Sequence, residues 1–255
     1  MLYDFARGCW RALCALRGLD ASDLLRSPAL LRHFVHDWRS FRKLGGNAPF
    51  GEIAPQLFDR SSDTQSGGGH YFYQDVWALR KLRRFQPTEH HDVGSRLDGF
   101  VAQATAICPV SYWDIRAPQF RLPDFHFRSG SIVSLPLPDA SITSLSCMHV
   151  AEHIGLGRYG DPIDPYGTEK ALQELQRILA TGGQLLYSMP IGRERVEFNA
   201  QRIWSPWRPI ETLSELRLVE FSVVTDSNEF LADANPKDFT NARYACGLYR
   251  FQRNP

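Results

Sequence analysis

Between Tyr71 and Met189 the hydrophobic pattern switches repeatedly between a helical period and a strand period, and this alternation restricts the fold more than any other feature of the 255-residue chain. Tyr71–Phe85 predicts a helix with Val76, Leu79 and Leu82 on one face, and Thr88–Val93 a short strand running into Gly94. A helix over Leu97–Ile107 and a strand over Val110–Ile115 follow. Ser131–Leu135 gives a short element before the turn Pro136-Leu137-Pro138-Asp139, and Ser141–Met148 is the strongest strand. Thr168–Leu179 predicts a helix with Leu172, Leu175 and Leu179 inward, closed by Thr181-Gly182-Gly183. Gln184–Met189, Leu218–Val224 and Arg243–Phe251 complete the strands, the last two separated by a long polar insert. Strands alternating with helices imply an α/β fold, a mostly parallel open sheet with helices on both faces.

The first 45 residues differ. Leu2, Phe5, Cys9, Leu13 and Leu16 recur at helical spacing, and a second helical stretch runs through Leu24, Leu31, Phe34, Val35 and Trp38 with Pro28 as an early helical residue. Eight basic and four acidic side chains give this segment a local charge of +4, leaving −3 for the rest of a chain whose total is +1. Residues 1–45 are therefore expected to be a helical extension or cap, residues 46–69 a linker, and residues 70–255 the α/β domain. The extension either packs as a cap or offers a basic amphipathic surface to an anionic membrane or a protein partner.

A near-neutral chain is not expected to be a dedicated nucleic-acid binder. No apolar run approaches the roughly 18–20 residues of a membrane span, and Arg7 and Arg11 interrupt any signal-peptide core. Cys9, Cys14, Cys108, Cys147 and Cys246 are scattered without a C-x-x-C pair, so reduced thiols in the cytoplasm are expected, with Cys147 a buried strand residue.

In such a sheet ligands bind beyond the carboxyl ends of the strands at the switch point. Asp92-Val93-Gly94 ends the first strand and Asp114 the second, 22 residues on. A glycine permits a tight turn there, and a strand-end carboxylate can accept ribose hydroxyls. Two further segments are candidates for closing the site. One is His70-Tyr71-Phe72-Tyr73, and the other is the run from Arg193 to Ser205 containing Arg195, Asn199 and Arg202. Tyr71, Tyr73, Arg195, Asn199 and Arg202 are the candidate substrate-binding residues, surface packing being the alternative. His149-Val150-Ala151-Glu152-His153 also matches H-x-x-E-H, but a zinc-protease role needs both histidines on one helix face, and the nearby Gly155 and Gly157 argue against a long helix.

The stretch Leu135-Pro136-Leu137-Pro138-Asp139-Ala140-Ser141-Ile142, then Ala151-Glu152-His153-Ile154, then Leu172 through Gly183 resembles the L-P-F-x-D-x-S-F … E-H … E-x-x-R-V-L-x-P-G-G layout of class I S-adenosylmethionine-dependent methyltransferases. Ser144–Val150 through Gly157–Pro162 is similar to an uncharacterised family catalogued as domain of unknown function 268. The resemblance spans about residues 70–251 and implies a Rossmann-like sheet with an antiparallel last strand and S-adenosylmethionine as cofactor. It places Asp92 and Gly94 beside the methionine part, Asp114 at the ribose, Ser131 at the adenine and His149 beside the cofactor, with Ser95 and Arg96 also among the cofactor-binding candidates. Arg96 and Asp98 replace two of the usual glycines, so that either Arg96 pairs with the cofactor carboxylate or the loop is closed to cofactor. His149 or His153 would be the general base. Some relatives carry E-x-x-E-H as a divalent-metal site, which would make Glu152 and His153 metal ligands, with His70, His126, Asp161 or Asp164 completing the set. The expected acceptor is a small polar molecule, such as a glycan or cell-surface precursor, methylated on oxygen or nitrogen. The alternative is a non-catalytic binding module. The expected location is cytoplasmic, with a peripheral position at the inner face of a membrane open through residues 1–45.

Overall fold

The computed structural model describes residues 21–47, 50, 53, 55, 57 and 68–254, divided into a unit over Met1–Ser66 and a unit over Gly67–Pro255. The expected helix from Leu2 to Leu16 lies outside the described residues. In the first unit, helix α1 (Ala21–Lys43) begins seven residues before Pro28, so the proline is interior rather than early and forfeits one helical hydrogen bond. Near its end the Arg42 guanidinium lies over Trp38, whose ring also meets Phe50. Among the described residues no helix is long and apolar enough to cross a membrane.

The second unit carries α2 (Gly69–Phe85), β1 (His90–Val93), α3 (Ala102–Ala104), β2 (Val110–Asp114), β3 (Phe125–Ser129) and β4 (Ile142–Met148). It continues with α4 (Gly167–Ile178), β5 (Leu179–Ile191), β6 (Arg195–Glu197), β7 (Gln201–Ile203), α5 (Arg208–Thr212), β8 (Leu216–Val224), β9 (Phe230–Leu231) and β10 (Ala245–Arg253). The main sheet has the order β3-β2-β1-β4-β5-β10-β8-β9. Its first five strands are parallel, and β10 runs antiparallel between β5 and β8. The expected α/β class and the antiparallel last strand are both present. The order reverses between β1 and β4, which opens a crevice beyond their carboxyl ends.

Both faces are covered. On one, Leu145, Cys147, Leu185 and Tyr187 pack against Ala171, Leu172, Leu175 and Ile178 of α4. On the other, Met148, Leu186, Cys246 and Leu248 pack against Trp77, Ala78 and Leu82 of α2 and against Phe100, Val101 and Ala104. Double-sided burial fits the largely apolar Leu185–Ile191 stretch of β5, whereas β1 and β4 bury polar residues as well.

Several elements differ from expectation. The helix expected over Leu97–Ile107 is a wide turn at Leu97–Val101 running into α3, broken at Gly99 (φ −110°, ψ −113°). A Cβ on Gly99 would sit 2.3 Å from Asp75 Oδ2, so the glycine lets α2 approach. Thr181-Gly182-Gly183 does not close a helix: α4 stops at Ile178 and β5 starts at once. Pairing shifts from Ile142–Leu179 to Ser144–Gln184, so three extra residues bulge from β5, with Gly182 at φ +74°. Ser131–Leu135 is a turn with one bridge, Ser131–Ser134. β3, the β6–β7 hairpin, α5 and β9 were not anticipated.

A buried polar chain ties β1 to β4. Asp92 is fully buried and accepts from Ser95 N (3.0 Å), Ser95 Oγ (2.7 Å) and Ser146 Oγ. Ser146 has a single hydroxyl proton, which goes to Asp92, so it must accept from His90 Nε2 (2.8 Å); His90 Nδ1 then accepts from Ser144 Oγ (2.7 Å). This fixes the tautomer of His90, which burial holds neutral by lowering its pKa to about 3. Ser95 Oγ in turn accepts from Met148 N at 3.0 Å.

Burial outweighs the three donors and raises the Asp92 pKa from 3.8 to about 6. Between those values the folded state holds a proton the unfolded state has released. Asp92 therefore stabilises the fold below about pH 4, and that contribution is lost as pH rises through 6. The stability difference between wild type and Asp92→Asn, from urea unfolding, should shift against wild type by on the order of 3 kcal/mol between pH 4 and 7. A pH-independent difference would contradict this.

Candidate functional site

Beyond the carboxyl ends of β1, β2 and β4 lies a cavity of about 330 Å³. Gly94, Asp114, Ser131, His149 and His153 all line it, against apolar walls from Trp113, Ile132 and Val150. Gly94 turns the chain out of β1 at φ +74°, and a Cβ there would lie 2.8 Å from Val150 Cγ1. Glycine is thus required by both conformation and space. Gly130, after β3, plays a similar part: its Cβ would meet the Trp113 ring at 3.0 Å.

Asp114 ends β2 with its carboxylate fully engaged. Oδ1 accepts from Arg116 N (2.8 Å) and Nε (3.1 Å), and Oδ2 from Arg116 Nη2 (3.1 Å) and Tyr112 Oη (3.1 Å). Four donors fill its roughly four lone-pair sites. The Arg116 guanidinium also lies 4.6 Å from the centre of the Tyr159 ring. A ligand hydroxyl reaches Asp114 only by displacing this side chain.

At the end of β4, His149 adopts a left-handed backbone (φ 54°) and leads into the single turn Ala151–His153. The turn brings Glu152 back to its neighbour, with His149 Nδ1 2.8 Å from Glu152 Oε1. On the other side of the ring, His149 Nε2 lies 3.3 Å from Cys246 Sγ of β10. Burial opposes charging of His149, but the contacts with Cys246 and Glu152 overcome it and raise the pKa to about 10. His149 therefore holds a proton more tightly than a free imidazole, which does not suit the base expected of it. Glu152 is wholly buried, and its Oε2 has no hydrogen-bond partner.

His153 donates from Nδ1 to Ala200 O at 2.7 Å. The neutral ring then carries its lone pair on Nε2, 3.8 Å from Glu152 Oε1. A single turn cannot carry both histidines on one helix face, which removes the protease geometry.

The other sequence candidates lie elsewhere. Asp92 and Ser95 sit inside the β1–β4 network and do not line the cavity. Arg96 forms a two-pronged pair with Asp98 (2.5 and 2.9 Å) and covers the Tyr71 ring. Tyr71 reaches the His149 ring (5.0 Å between centres), whereas Tyr73 stacks on Phe230. Arg195 pairs with Glu197 in the β6–β7 hairpin, and Asn199 is exposed at its tip. Arg202 is buried and donates to the carbonyls of Ile154, Asp164 and Pro165 and to Thr168 Oγ1, bracing the loop between Ile154 and Pro165.

Of the proposed additional metal ligands, His126 is exposed on β3, Asp161 accepts from the Gly155, Gly157 and Tyr159 amides, and Asp164 pairs with Lys170. Among the described residues, the one group of three or more His, Cys, Asp or Glu side chains whose ligand atoms converge is His70, His149 and Cys246. Tyr159 and Cys246 join the site through contacts the local sequence does not show, whereas Arg116 is placed by Asp114, two residues before it.

The fold has counterparts among solved structures. The [4+2]-cyclase SpnF superposes with a TM-score of 0.53 at 12% identity, over 75% of this chain and 86% of that one. The N-methyltransferase NodS from Bradyrhizobium japonicum WM9, in complex with S-adenosyl-l-homocysteine, gives 0.50 at 15%, over 79% and 92%. A geranyl diphosphate methyltransferase in complex with SAM gives 0.51 at 13%, over 71% and 84%. The chain has the class I methyltransferase fold. Within this methyltransferase fold, residues 141–229 match the family model described as Caenorhabditis protein of unknown function, DUF268. No curated protein matches the sequence.

Arg202 tests the division between bracing and binding residues. Arg202→Ala should lower unfolding stability by about 3 kcal/mol, since three carbonyls lose a charged donor. A Tm equal to that of wild type would return Arg202 to the list of substrate-binding residues.

Proposed function

We propose that this domain binds S-adenosylmethionine in the cavity beyond β1, β2 and β4 and transfers a methyl group to an oxygen or nitrogen of a small polar acceptor. The observation that carries the proposal is the conjunction of left-handed Gly94 and strand-end Asp114 on one cavity. The first turns the backbone sharply out of β1 at the cavity, packed so closely on Val150 that no Cβ fits, and the second is a carboxylate suited to a ribose diol. Trp113, Ile132 and Val150 offer apolar walls for a purine, with Ser131 as a polar partner. A volume of about 330 Å³ suits a ligand of this class.

Bound there, the cofactor would supply an electrophilic methyl on a sulfonium. The chain's own part is to hold and deprotonate the acceptor. His153 is placed to take the acceptor's proton. Its own Nδ1 proton is committed to Ala200 O, and Nε2 faces the buried carboxylate of Glu152, which would stabilise the ring once protonated. His149 would keep its proton and hold Glu152 in place. Arg158 and Tyr159, beside His153, would suit a hydroxyl-rich acceptor such as a glycan or cell-surface precursor.

A second reading, a non-catalytic binding module, draws support from the complete occupation of Asp114 by Arg116 and Tyr112. The same fold also serves a cyclase in SpnF, so fold alone does not select methyl transfer. In either reading residues 1–45 offer a basic segment to a membrane surface or protein partner.

Titration calorimetry with S-adenosylmethionine separates these readings. We expect binding in the micromolar range, weakened about 100-fold in Asp114→Ala through loss of two charge-assisted hydrogen bonds. Arg116→Ala, which frees Asp114, should bind at least as tightly as wild type. No heat of binding at millimolar ligand would overturn the enzyme reading, and unchanged affinity in Asp114→Ala would overturn the pose.

A further inference from the structure

We infer that His70, His149 and Cys246 form a binding site for one zinc-like divalent ion at the wall of the cavity. The ligand atoms of these three side chains lie within 4.8 Å of one another, although the residues come from α2, the end of β4 and β10. His149 Nε2 and Cys246 Sγ are 3.3 Å apart. With metal–nitrogen bonds of about 2.0 Å and metal–sulfur bonds of about 2.3 Å, a tetrahedral ion spans an N···S edge of about 3.5 Å. The pair is thus already at coordination spacing. His70, half-buried in the first turn of α2, is the ligand with room to move in.

The outer contacts agree. His149 has Glu152 Oε1 at Nδ1 (2.8 Å), and His70 has Tyr244 O at Nε2 (3.2 Å). An oxygen acceptor on one ring nitrogen orients the ring, and an ion binding at the other nitrogen displaces any proton held there, as around metal-bound histidines in general. The second, independent observation is Glu152 Oε2, a wholly buried carboxylate oxygen with no partner. A wholly buried carboxylate oxygen without a partner is costly, and a divalent ion on the far side of the His149 ring would add compensating positive charge.

The donor set selects the metal. Two imidazoles and a thiolate suit zinc and disfavour the hard, oxygen-seeking magnesium and calcium ions. Three protein ligands leave a fourth position for water or a ligand oxygen. These are not the Glu152 and His153 ligands expected from sequence. Glu152 acts from behind His149, and His153 takes no part. The inference does not depend on the methyl-transfer reading.

The test is zinc uptake by the purified full chain after chelator treatment and dialysis, read by metal analysis and by the thiolate-to-cobalt charge-transfer absorption when cobalt(II) is substituted. We expect one zinc per chain with sub-micromolar affinity, a cobalt–thiolate band, and a Tm raised by added zinc. Cys246→Ser should abolish the band, and His149→Ala should abolish uptake. Glu152→Gln should weaken zinc binding about 10- to 100-fold, and His153→Ala should leave it unchanged. Should the Cys246 or His149 variants not fold, His70→Ala, at a half-buried position, serves in their place and should lower zinc affinity at least tenfold. Failure of the folded wild type to take up zinc would overturn the inference. So would uptake unaltered by these three substitutions, or loss of uptake in His153→Ala.

Discussion

The carboxylate of Asp92 organises the end of the sheet at which everything functional gathers. It draws in the Ser95 amide, the Ser95 hydroxyl and the Ser146 hydroxyl, and through them His90, Ser144 and the Met148 amide. Every member of this chain lies on β1 or β4 or just beyond. The two strands that flank the topological switch are therefore fixed in register by side chains as well as by their backbone ladder. The positions of Gly94 and His149, each a few residues from a member of the chain, depend on that lock. Its satisfied donors and acceptors are what make so polar a cluster tolerable in an otherwise apolar layer.

A second polar cluster, at the end of β4, is built on the opposite plan. Around His149 the groups are only partly matched: one oxygen of Glu152 is bonded and the other is not, and a thiol stands where a hydroxyl or amide would complete the pairing. The structure thus places a saturated network within the sheet and an unsaturated one on the cavity wall. Saturation suits a scaffold, and unsaturation suits a place where something else binds.

How far the sequence revealed this arrangement follows from where each residue's partners lie. β5 was legible because burial on both faces writes apolar runs such as Leu185-Leu186-Tyr187. β3 was not, because an edge strand reading Phe125-His126-Phe127-Arg128-Ser129 pairs on one side only and keeps polar residues. The glycines at 182 and 183 resembled a helix stop, but their role as a bulge depends on β4. In the site, Gly94, Asp114, Ser131, His149 and His153 could be picked out because they follow strand ends, and strand ends converge in this topology. Asp92 and Ser95 belong to the same segment, but their side chains turn inward. Arg202 looked like a surface cation because the carbonyls it braces are 37 to 48 residues away. Cys246 gave no local signal, being 97 residues from the histidine it meets.

The placement of β10 has a consequence for how the molecule is made. This strand follows β5, β8 and β9 in sequence yet lies inside the sheet, bonded to β5 on one side and β8 on the other. Until residues 245–253 leave the ribosome, β5 and the β8–β9 pair each present an open edge with unmet backbone donors and acceptors. The five parallel strands can assemble first, but they cannot recruit β8 and β9 without β10, so the sheet closes from its middle. The same event delivers Cys246 to His149. Completion of the sheet and completion of the His149–Cys246 pair are one step.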